Sequence, residues 1–259
     1  MYDRPEIRAE TDLLWARLRE AIRDRGHDAP EALTRDRPNR VLWSAPELVL
    51  GQTCGLPYIR ALSQRVGLLG SPAYAIDGVE PGDYRSAIVV GPESRAAGLA
   101  DLKGARPAVN ARDSQSGYGA LMSAVALLAG EAAGAHFFAL PVMTGSHAAS
   151  MEAVLSGRAG VAAIDAVSFA LALRHDRKAA GLRVIGWSAP TPGLPYITGR
   201  RAQVATLQSA VEAAFASLDR GVLEALLLKG FRRRVPGEYQ VIRDRLAAAE
   251  RLHTLPAAS

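Results

Sequence analysis

The sequence predicts an α/β fold on the basis of three observations. Short apolar or β-branched runs alternate along the chain with proline-free, Ala- and Leu-rich stretches of helical spacing. Hydrophobic residues make up 49% of the 259 residues, which is enough to supply a core. Aromatic residues make up only 6%, which suits close packing of helices on sheets. Because strands and helices alternate, we expect layered sheets with mainly parallel strand pairs.

The first predicted element is a helix from about Pro5 to Arg25. Asp3 and Glu6 have the spacing of a capping box, apolar residues then recur at helical spacing, and Gly26 ends the pattern. The chain is therefore expected to begin with a capped helix.

A second junction of a strand and a helix follows. Leu48–Leu50 is predicted as a short strand, and Pro57 opens a helix that runs to about Gln64. Open α/β sheets bind ligands in the crevice beyond the carboxyl ends of their strands. The candidates to line such a crevice are Thr53, Cys54 and Tyr58.

Cys54 is the single cysteine of the chain, so an internal disulfide is impossible and a thiolate-rich metal site is not expected. A free cysteine is most often a small buried hydrophobic residue. A catalytic pair of Cys54 and His147 lacks the flanking sequence of any known cysteine nucleophile. We therefore predict no catalytic residue, and no histidine spacing indicates a metal site.

A polar loop at residues 110–119 lies between a short apolar strand candidate and an Ala- and Leu-rich helix. Ser114 or Ser116 can cap that helix, and Gly117 and Gly119 allow a ligand to approach the backbone closely. A helix N-terminus presents unpaired N–H groups and a partial positive charge. The loop therefore predicts an anion site, although an ordinary capped turn explains the same residues.

Two later residues also follow directly on predicted strands or their loops. Ser146 or Thr144 can cap a helix whose first turn carries His147, where the imidazole can donate to an oxyanion. Asp165 ends the apolar strand candidate Val161–Ile164. An ionised carboxylate only accepts hydrogen bonds, so it favours a singly protonated ligand over a fully ionised one. Asp165 can equally cap the helix that follows.

Four short motifs follow one another in a recognisable order. They are Gln-Thr-Cys-Gly-Leu-Pro-Tyr at 52–58, Ser-Gln-Ser-Gly-Tyr at 114–118, Gly-Ser-His at 145–147 and Gly-Val-Ala-Ala-Ile-Asp at 160–165. In this order they resemble the phosphate/phosphonate-type substrate-binding proteins of ABC transporters. The resemblance implies an α/β, two-lobed, type II periplasmic-binding-protein-like architecture with a hinge and an interlobe ligand cleft.

The resemblance also implies how the chain is divided and what it does. The first lobe is discontinuous, with residues 1–95 and 188–259, and the second lobe, residues 96–187, is inserted in it. A protein of this kind is not an enzyme and needs no cofactor. It captures a small oxyanion (phosphonate, phosphate or phosphite-like) for ABC-type uptake, with an ABC permease as its partner.

Residues of both lobes are implied to hold the ligand. The residues implied to bind the anion are Ser114, Gln115, Ser116, Gly117, Tyr118, His147 and Asp165. The first lobe is implied to contribute Thr53, Cys54, Tyr58 and Tyr196. The two tyrosines, Tyr58 and Tyr196, are expected to cover the substituent of the ligand. Gln115 stands where some family members have another hydroxyl residue, so the substrate need not be phosphonate.

Charge and hydropathy exclude other partners. The formal net charge of +5 comes mostly from dispersed arginines, without a basic stripe interleaved with aromatic residues, which excludes nucleic acid. No apolar run is long enough to cross a bilayer, so direct membrane insertion is not expected. Met1–Glu6 has no apolar signal-peptide core. The sequence as it stands indicates a cytoplasmic protein, and a periplasmic location requires a signal peptide that this sequence lacks.

Two alternatives use the same scaffold. One is a cytosolic enzyme similar to the pyrimidine-forming thiamin-biosynthesis proteins, and the other is a cytoplasmic ligand-sensing protein. The enzyme alternative predicts a histidine-rich active segment and a cofactor-anchoring lysine. The only lysines fall in predicted turns or near predicted helix ends: Lys103, Lys178 and Lys229.

Overall fold

The computed structural model describes residues 2–129 and 137–252. Contacts between Cα atoms divide the chain into two compact units. The first unit contains the chain up to Tyr84 together with Pro192–Gln240. The second contains the described residues of Arg85–Thr191 and residues 241–252. Among the described residues, no helix has the length and apolar character needed to span a membrane.

Helices and strands alternate through both units, which confirms the predicted α/β class. The described α-helices are α1 (Arg8–Arg23), α2 (Asn39–Trp43), α3 (Gly55–Pro57), α4 (Ala120–Ala129), α5 (His147–Leu155), α6 (Ala166–His175), α7 (Val204–Ala216), α8 (Arg220–Ala225) and α9 (Gln240–Leu252). The described strands are β1 (Gly51–Gln52), β2 (Gly67–Tyr74), β3 (Asp83–Tyr84), β4 (Ser86–Val90), β5 (Pro107–Val109), β6 (Val142–Met143), β7 (Val161–Asp165), β8 (Arg183–Trp187), β9 (Thr191–Pro192), β10 (Tyr196–Thr198) and β11 (Leu228–Arg232).

The predicted N-terminal helix is confirmed, but its capping box is wrong. A 3₁₀ turn at Pro5–Ile7 leads into α1, and no side chain caps that turn. Asp3 instead accepts hydrogen bonds from Arg35, with Nε at 2.6 Å. The guanidinium, which lies 32 residues away in sequence, offers this carboxylate a charged donor in place of a backbone N–H.

The sheet of the first unit has the strand order β1-β10-β2-β11, and all of its pairs are antiparallel. Mainly parallel pairing is therefore wrong for this unit. The register places Ile197 opposite both Gly51 and Leu68. Because β10 and β11 come from the part of the chain after Pro192, their direction is set by the return of the chain and not by local alternation.

The sheet of the second unit is mixed, with the order β6-β5-β7-β4-β8. Strand β5 pairs in parallel with β6 and β7, whereas β4 pairs antiparallel with β7 and β8. Helices α5 and α6 cover one face of the sheet and enclose a core of small and branched side chains, among them Ala87, Ala162, Ile164, Ala153 and Phe169. The three parallel strands place their carboxyl ends at one edge of the sheet.

The bounds of the two units differ from the predicted lobes, 1–95 with 188–259 and 96–187. Strand β4 lies within the predicted first lobe, but its hydrogen-bonded neighbours are strands of the second unit. Residues 241–252, which form most of α9, also belong to the second unit. Strand pairing between distant segments decides these bounds, and no composition change in the sequence marks them.

A buried ionic cluster lies in the first unit near the residue at which the chain first leaves it, Tyr84. The Arg234 side chain is almost completely buried and donates through Nε to Ser71 Oγ at 3.0 Å. Its Nη1 donates to Glu238 at 2.8 Å, and its Nη2 donates to Asp83. The cluster therefore ties β2 and β3 to the residues that precede α9.

Candidate functional site

The predicted anion-site residues of the second unit come from the carboxyl ends of its three parallel strands. Asn110 follows β5, the loop that ends at His147 follows β6, and Asp165 is the last residue of β7. The N–H of Thr144 donates to Val109 O at 2.9 Å, and the N–H of Gly145 donates to Asn110 O at 3.0 Å. Parallel pairing therefore brings three segments that are distant in sequence to one edge of the sheet.

Ser114, and not Ser116, caps the helix of the predicted loop. The N–H of Gly117 donates to Ser114 Oγ at 3.0 Å, and the chain then forms a π-helical turn, Gln115–Gly119, before α4. The N–H of Gly117 was predicted to bind the ligand, but here it is engaged in the cap. The hydroxyl hydrogen of Ser114 is not used in that bond and is available to an acceptor.

The two glycines of the loop lie beneath side-chain amides. A Cβ atom on Gly117 would lie 1.8 Å from Asn110 Oδ1, and one on Gly119 would lie 2.6 Å from Gln115 Oε1. Neither position therefore has room for a side chain. The sequence predicted these glycines as points of close ligand approach, whereas in the structure the carboxamide of Asn110 occupies the space over Gly117.

Ser116 and His147 form a hydrogen-bonded pair, with 2.8 Å between Oγ and Nε2. His147 is the first residue of α5, which Ser146 caps by accepting from the N–H of Ala149 at 3.1 Å. The Nδ1 atom of His147 is buried and has no hydrogen-bond partner among the described residues. Burial lowers the pKa of His147 to about 4, so the ring is neutral at pH 7.

The neutral pair has one hydrogen to offer an anion. A neutral imidazole has one N–H and a serine has one O–H, and the bond between Ser116 and His147 uses one of these two hydrogens. The other hydrogen remains, either on Ser116 Oγ or on His147 Nδ1. Together with the hydroxyl of Ser114, the loop therefore presents uncharged donors at the end of the parallel strands.

We predict that replacing His147 with glutamine makes the free energy of unfolding less dependent on pH between pH 7 and pH 5. Because the folded-state pKa of His147, about 4, is below the unfolded value, its contribution to stability is complete above about pH 6.5 and is lost as the pH falls towards 4. For this half-buried ring, we expect the wild type to lose about 1–2 kcal/mol more unfolding free energy than His147→Gln between pH 7 and pH 5. Urea unfolding of both proteins at the two pH values measures this difference. If the wild type and His147→Gln lost the same unfolding free energy between pH 7 and pH 5, the lowered pKa of His147 would be contradicted.

Asp165 and Tyr118 each have a structural partner. Asp165 is almost completely buried, and its Oδ1 accepts from the N–H of Ser168 at 2.8 Å, which confirms the predicted cap of α6. The hydroxyl of Tyr118 donates to Glu250 in α9 at 3.0 Å. The ligand-binding roles of both residues stay predictions.

In the first unit, the predicted residues Thr53, Cys54 and Tyr58 are buried side by side at the end of β1. The N–H of Thr53 donates to Pro195 O at 3.0 Å. Burial raises the pKa of Tyr58 to about 12, and its hydroxyl has no hydrogen-bond partner among the described residues. These residues form one group, and their contact with a ligand stays a prediction.

Tyr196 lies in β10 and belongs to an aromatic cluster. The centroid of its ring lies 6.3 Å from that of Phe215 and 5.9 Å from that of Phe231. Burial raises the pKa of its hydroxyl. The residue also lines a cavity of about 490 Å³ within the first unit, next to α1 and β1. The described residues that line this cavity all belong to the first unit, and none of them belongs to the anion-site loop.

Sequence reasoning missed Asn110 as a candidate. Its only local signal is that it is the first polar residue after β5, and its contact with Gly117 requires the loop to fold back. In the described part of the chain, no cluster of three or more His, Cys, Asp or Glu residues could hold a metal ion.

A family model described as "ABC transporter, phosphonate, periplasmic substrate-binding protein" matches residues 47–239, which is more than half of the chain. Among curated proteins, none matches the chain.

Three solved structures show the same fold at low sequence identity. PhnD1 from Prochlorococcus marinus, in complex with methylphosphonate, has a TM-score of 0.72 and 14% identity and covers 92% of each chain. A binding protein component of an ABC phosphonate transporter from Pseudomonas aeruginosa has a TM-score of 0.71 and 18% identity and covers 93% of this chain and 82% of its own. A Xanthomonas citri protein bound to chloride has a TM-score of 0.69 and 19% identity, and the match covers 97% of this chain and 95% of that protein. The predicted type II periplasmic-binding-protein fold is confirmed.

Proposed function

Because the chain belongs to the family of periplasmic substrate-binding proteins of phosphonate ABC transporters, we propose that it binds a small phosphorus oxyanion through the loop at residues 110–118 and through His147. The family consists of transport proteins, so no chemical step is assigned to the site. The resemblance to thiamin-biosynthesis enzymes, and a sensing role, receive no support from the family description.

The observation that supports this proposal best is the Ser116–His147 pair beside the capped N-terminus of the loop. Their 2.8 Å hydrogen bond leaves one donor hydrogen, and Nδ1 of the imidazole is buried without a partner among the described residues. Buried polar atoms of this kind are rare in proteins, and a ligand oxygen is a natural partner for them. Uncharged donors beside a helix N-terminus bind oxyanions in many proteins.

The finer parts of the proposal concern the ligand and its delivery. A phosphonate, phosphate or phosphite offers both anionic oxygens for the donors of Ser114 and Ser116 and a hydroxyl for one acceptor of the protein, the role that the sequence predicts for Asp165. We further propose that the protein acts in the periplasm and delivers its ligand to an ABC permease, as the family description implies.

A thermal-shift screen of the purified protein tests the binding proposal. The compounds are phosphate, phosphite, methylphosphonate, 2-aminoethylphosphonate, sulfate, and pyrimidine precursors of thiamin. A ligand at a hundred times its dissociation constant stabilises the native state by about 2.7 kcal/mol, which raises the melting temperature by several degrees. We expect this rise with at least one phosphorus oxyanion and not with sulfate.

Two outcomes of the screen would contradict the proposal. A shift with sulfate as large as that with the phosphorus compounds would show that the site does not read a ligand hydroxyl. A shift with heterocycles alone would favour the enzyme scaffold, and the loop at 110–118 would then be a helix cap.

A further inference from the structure

The backbone of Asn110 is held by a hydrogen bond, whereas its side chain takes no part in capping the neighbouring helix. It directly follows β5, and its carbonyl accepts from the N–H of Gly145 at 3.0 Å, which fixes it beside the loop that leads to His147. The cap of the neighbouring helix is made by Ser114, so the Asn110 side chain is not needed for it.

The carboxamide of Asn110 lies inside the anion-site loop. Its Oδ1 is 1.8 Å and its Cγ 2.8 Å from the position that a Cβ of Gly117 would take, and Ser114 Oγ is 3.3 Å from the same position. The carboxamide is thus next to the capping hydroxyl and one residue away from Ser116. Gly117 is the residue that makes this approach sterically possible.

Within the described part of the chain, no group donates a hydrogen bond to the oxygen of this carboxamide. Asn110 Oδ1 is buried and makes no hydrogen bond to any described residue, as is also true of Nδ1 of His147. Burying an acceptor without a donor costs free energy, and an apolar side chain could pack against the loop without that cost. Packing alone therefore does not explain an amide oxygen at this position. Asn110 Oδ1 lies against Gly117, and the imidazole of His147, whose Nδ1 also lacks a partner among the described residues, bonds to the adjacent Ser116 through Nε2. A ligand O–H group is a natural partner for an acceptor in this position.

We propose that Asn110 contacts the ligand and selects its protonation state, with Oδ1 accepting the hydrogen bond from the O–H group of the bound oxyanion in place of Asp165, whose Oδ1 caps α6. This proposal rests on the function proposed above. An acceptor at this place attracts a singly protonated phosphonate or phosphite. The same acceptor repels a sulfonate oxygen, which carries no hydrogen at neutral pH. Because the amide is neutral, it discriminates in this way without adding a negative charge to the site.

Methylphosphonate and methanesulfonate form the matched pair of probes for this proposal. The monoanion of the first and the anion of the second have the same shape and charge, and they differ by one O–H group. Calorimetric titration near pH 6.5 gives the ratio of their dissociation constants. For the wild type, we expect this ratio to favour methylphosphonate.

Asn110→Ala should lower the affinity for methylphosphonate about tenfold and leave that for methanesulfonate unchanged or higher, because only the first loses an acceptor. The matched control is Asn39→Ala, which changes the other asparagine of the chain, exposed at the start of α2, and should alter neither affinity. Asn110→Asp keeps the shape and an acceptor at either end of the side chain. The preference for methylphosphonate should therefore persist in that variant.

The results that overturn the proposal are distinct from one another. An equal loss of affinity for both probes in Asn110→Ala identifies a structural role, and unchanged affinities for both probes place Asn110 outside the site. Loss of the preference in Asn110→Asp shows that the residue donates and does not accept. If the wild type binds neither probe nor any phosphorus oxyanion of the screen, the proposed function itself fails, and this inference fails with it.

Discussion

Replacing Arg234 with methionine lowers the free energy of unfolding of the first unit by about 3–5 kcal/mol, the range measured when one partner of a buried ion cluster is removed. The buried guanidinium donates hydrogen bonds to Ser71, Asp83 and Glu238. Burial disfavours its charge, yet the hydrogen bonds to Glu238 and Asp83 raise the pKa of Arg234 above its usual value. Without the cation, Asp83 and Glu238 both lose the donor that Arg234 supplies, and Glu238 keeps its bond from the N–H of Val235 and its ion pair with Arg232.

Tryptophan fluorescence measures this effect unit by unit. Trp15 and Trp43 lie in the first unit and Trp187 in the second. In a Trp187→Phe background, the fluorescence change on urea unfolding therefore reports on the first unit alone. Since Asp83 and Glu238 are partly solvent-exposed, we expect the loss to lie near the lower end of the stated range.

The adjacent arginine supplies the control. Arg233 is half-exposed and pairs with Glu212 at 2.6 Å on the surface, so Arg233→Met should cost less than about 1 kcal/mol. Equal losses for the two variants would mean that Arg234 contributes no more than a surface ion pair.

Replacing Ser116 with alanine weakens the binding of methylphosphonate tenfold to a hundredfold. The loss corresponds to about 1.5–3 kcal/mol, the value of a hydrogen bond to a charged group. Ser116 either donates to the anion itself or donates to Nε2 of His147 and so places the ring hydrogen on Nδ1. In both cases the variant loses one ordered donor, and Nε2 of the imidazole loses its partner.

Titration calorimetry of Ser116→Ala beside Ser156→Ala tests this expectation. Ser156 lies at the end of α5, where its hydroxyl donates to Glu152 O at 2.7 Å, so that variant should bind as the wild type does. A double variant with His147→Gln should lose little more than the single ones, because the two residues act as a pair. Unchanged affinity in Ser116→Ala would place the binding site elsewhere in the protein.

The sequence predicted the elements whose signals are local. The first helix, the cap of α5 by Ser146, the cap of α6 by Asp165 and the run of β7 follow from spacing, capping residues and apolar runs. Each of these signals acts within a few residues, and so it can be read from a short window of the chain.

The candidate site was only partly predictable. The sequence singled out residues 114–118, His147 and Asp165 as candidates because a polar residue just after a strand is a recognisable position. Asn110 was missed, and the N–H of Gly117 was assigned to a ligand although it donates to Ser114. Both depend on how the loop folds over itself, which side-chain spacing does not specify.

By itself, the sequence determined the α/β class, the capped helices and the polar residues at strand ends, because hydrogen bonds and apolar periodicity within a segment fix these features. The tertiary structure decided the antiparallel sheet of the first unit, the pairing of Ser116 with His147 over 31 residues and that of Arg234 with Asp83 over 151 residues. Such contacts form between side chains whose separation in sequence carries no information about their distance in space. Their partners are selected by burial, which leaves each polar atom only the donors and acceptors that the folded chain or a ligand brings to it.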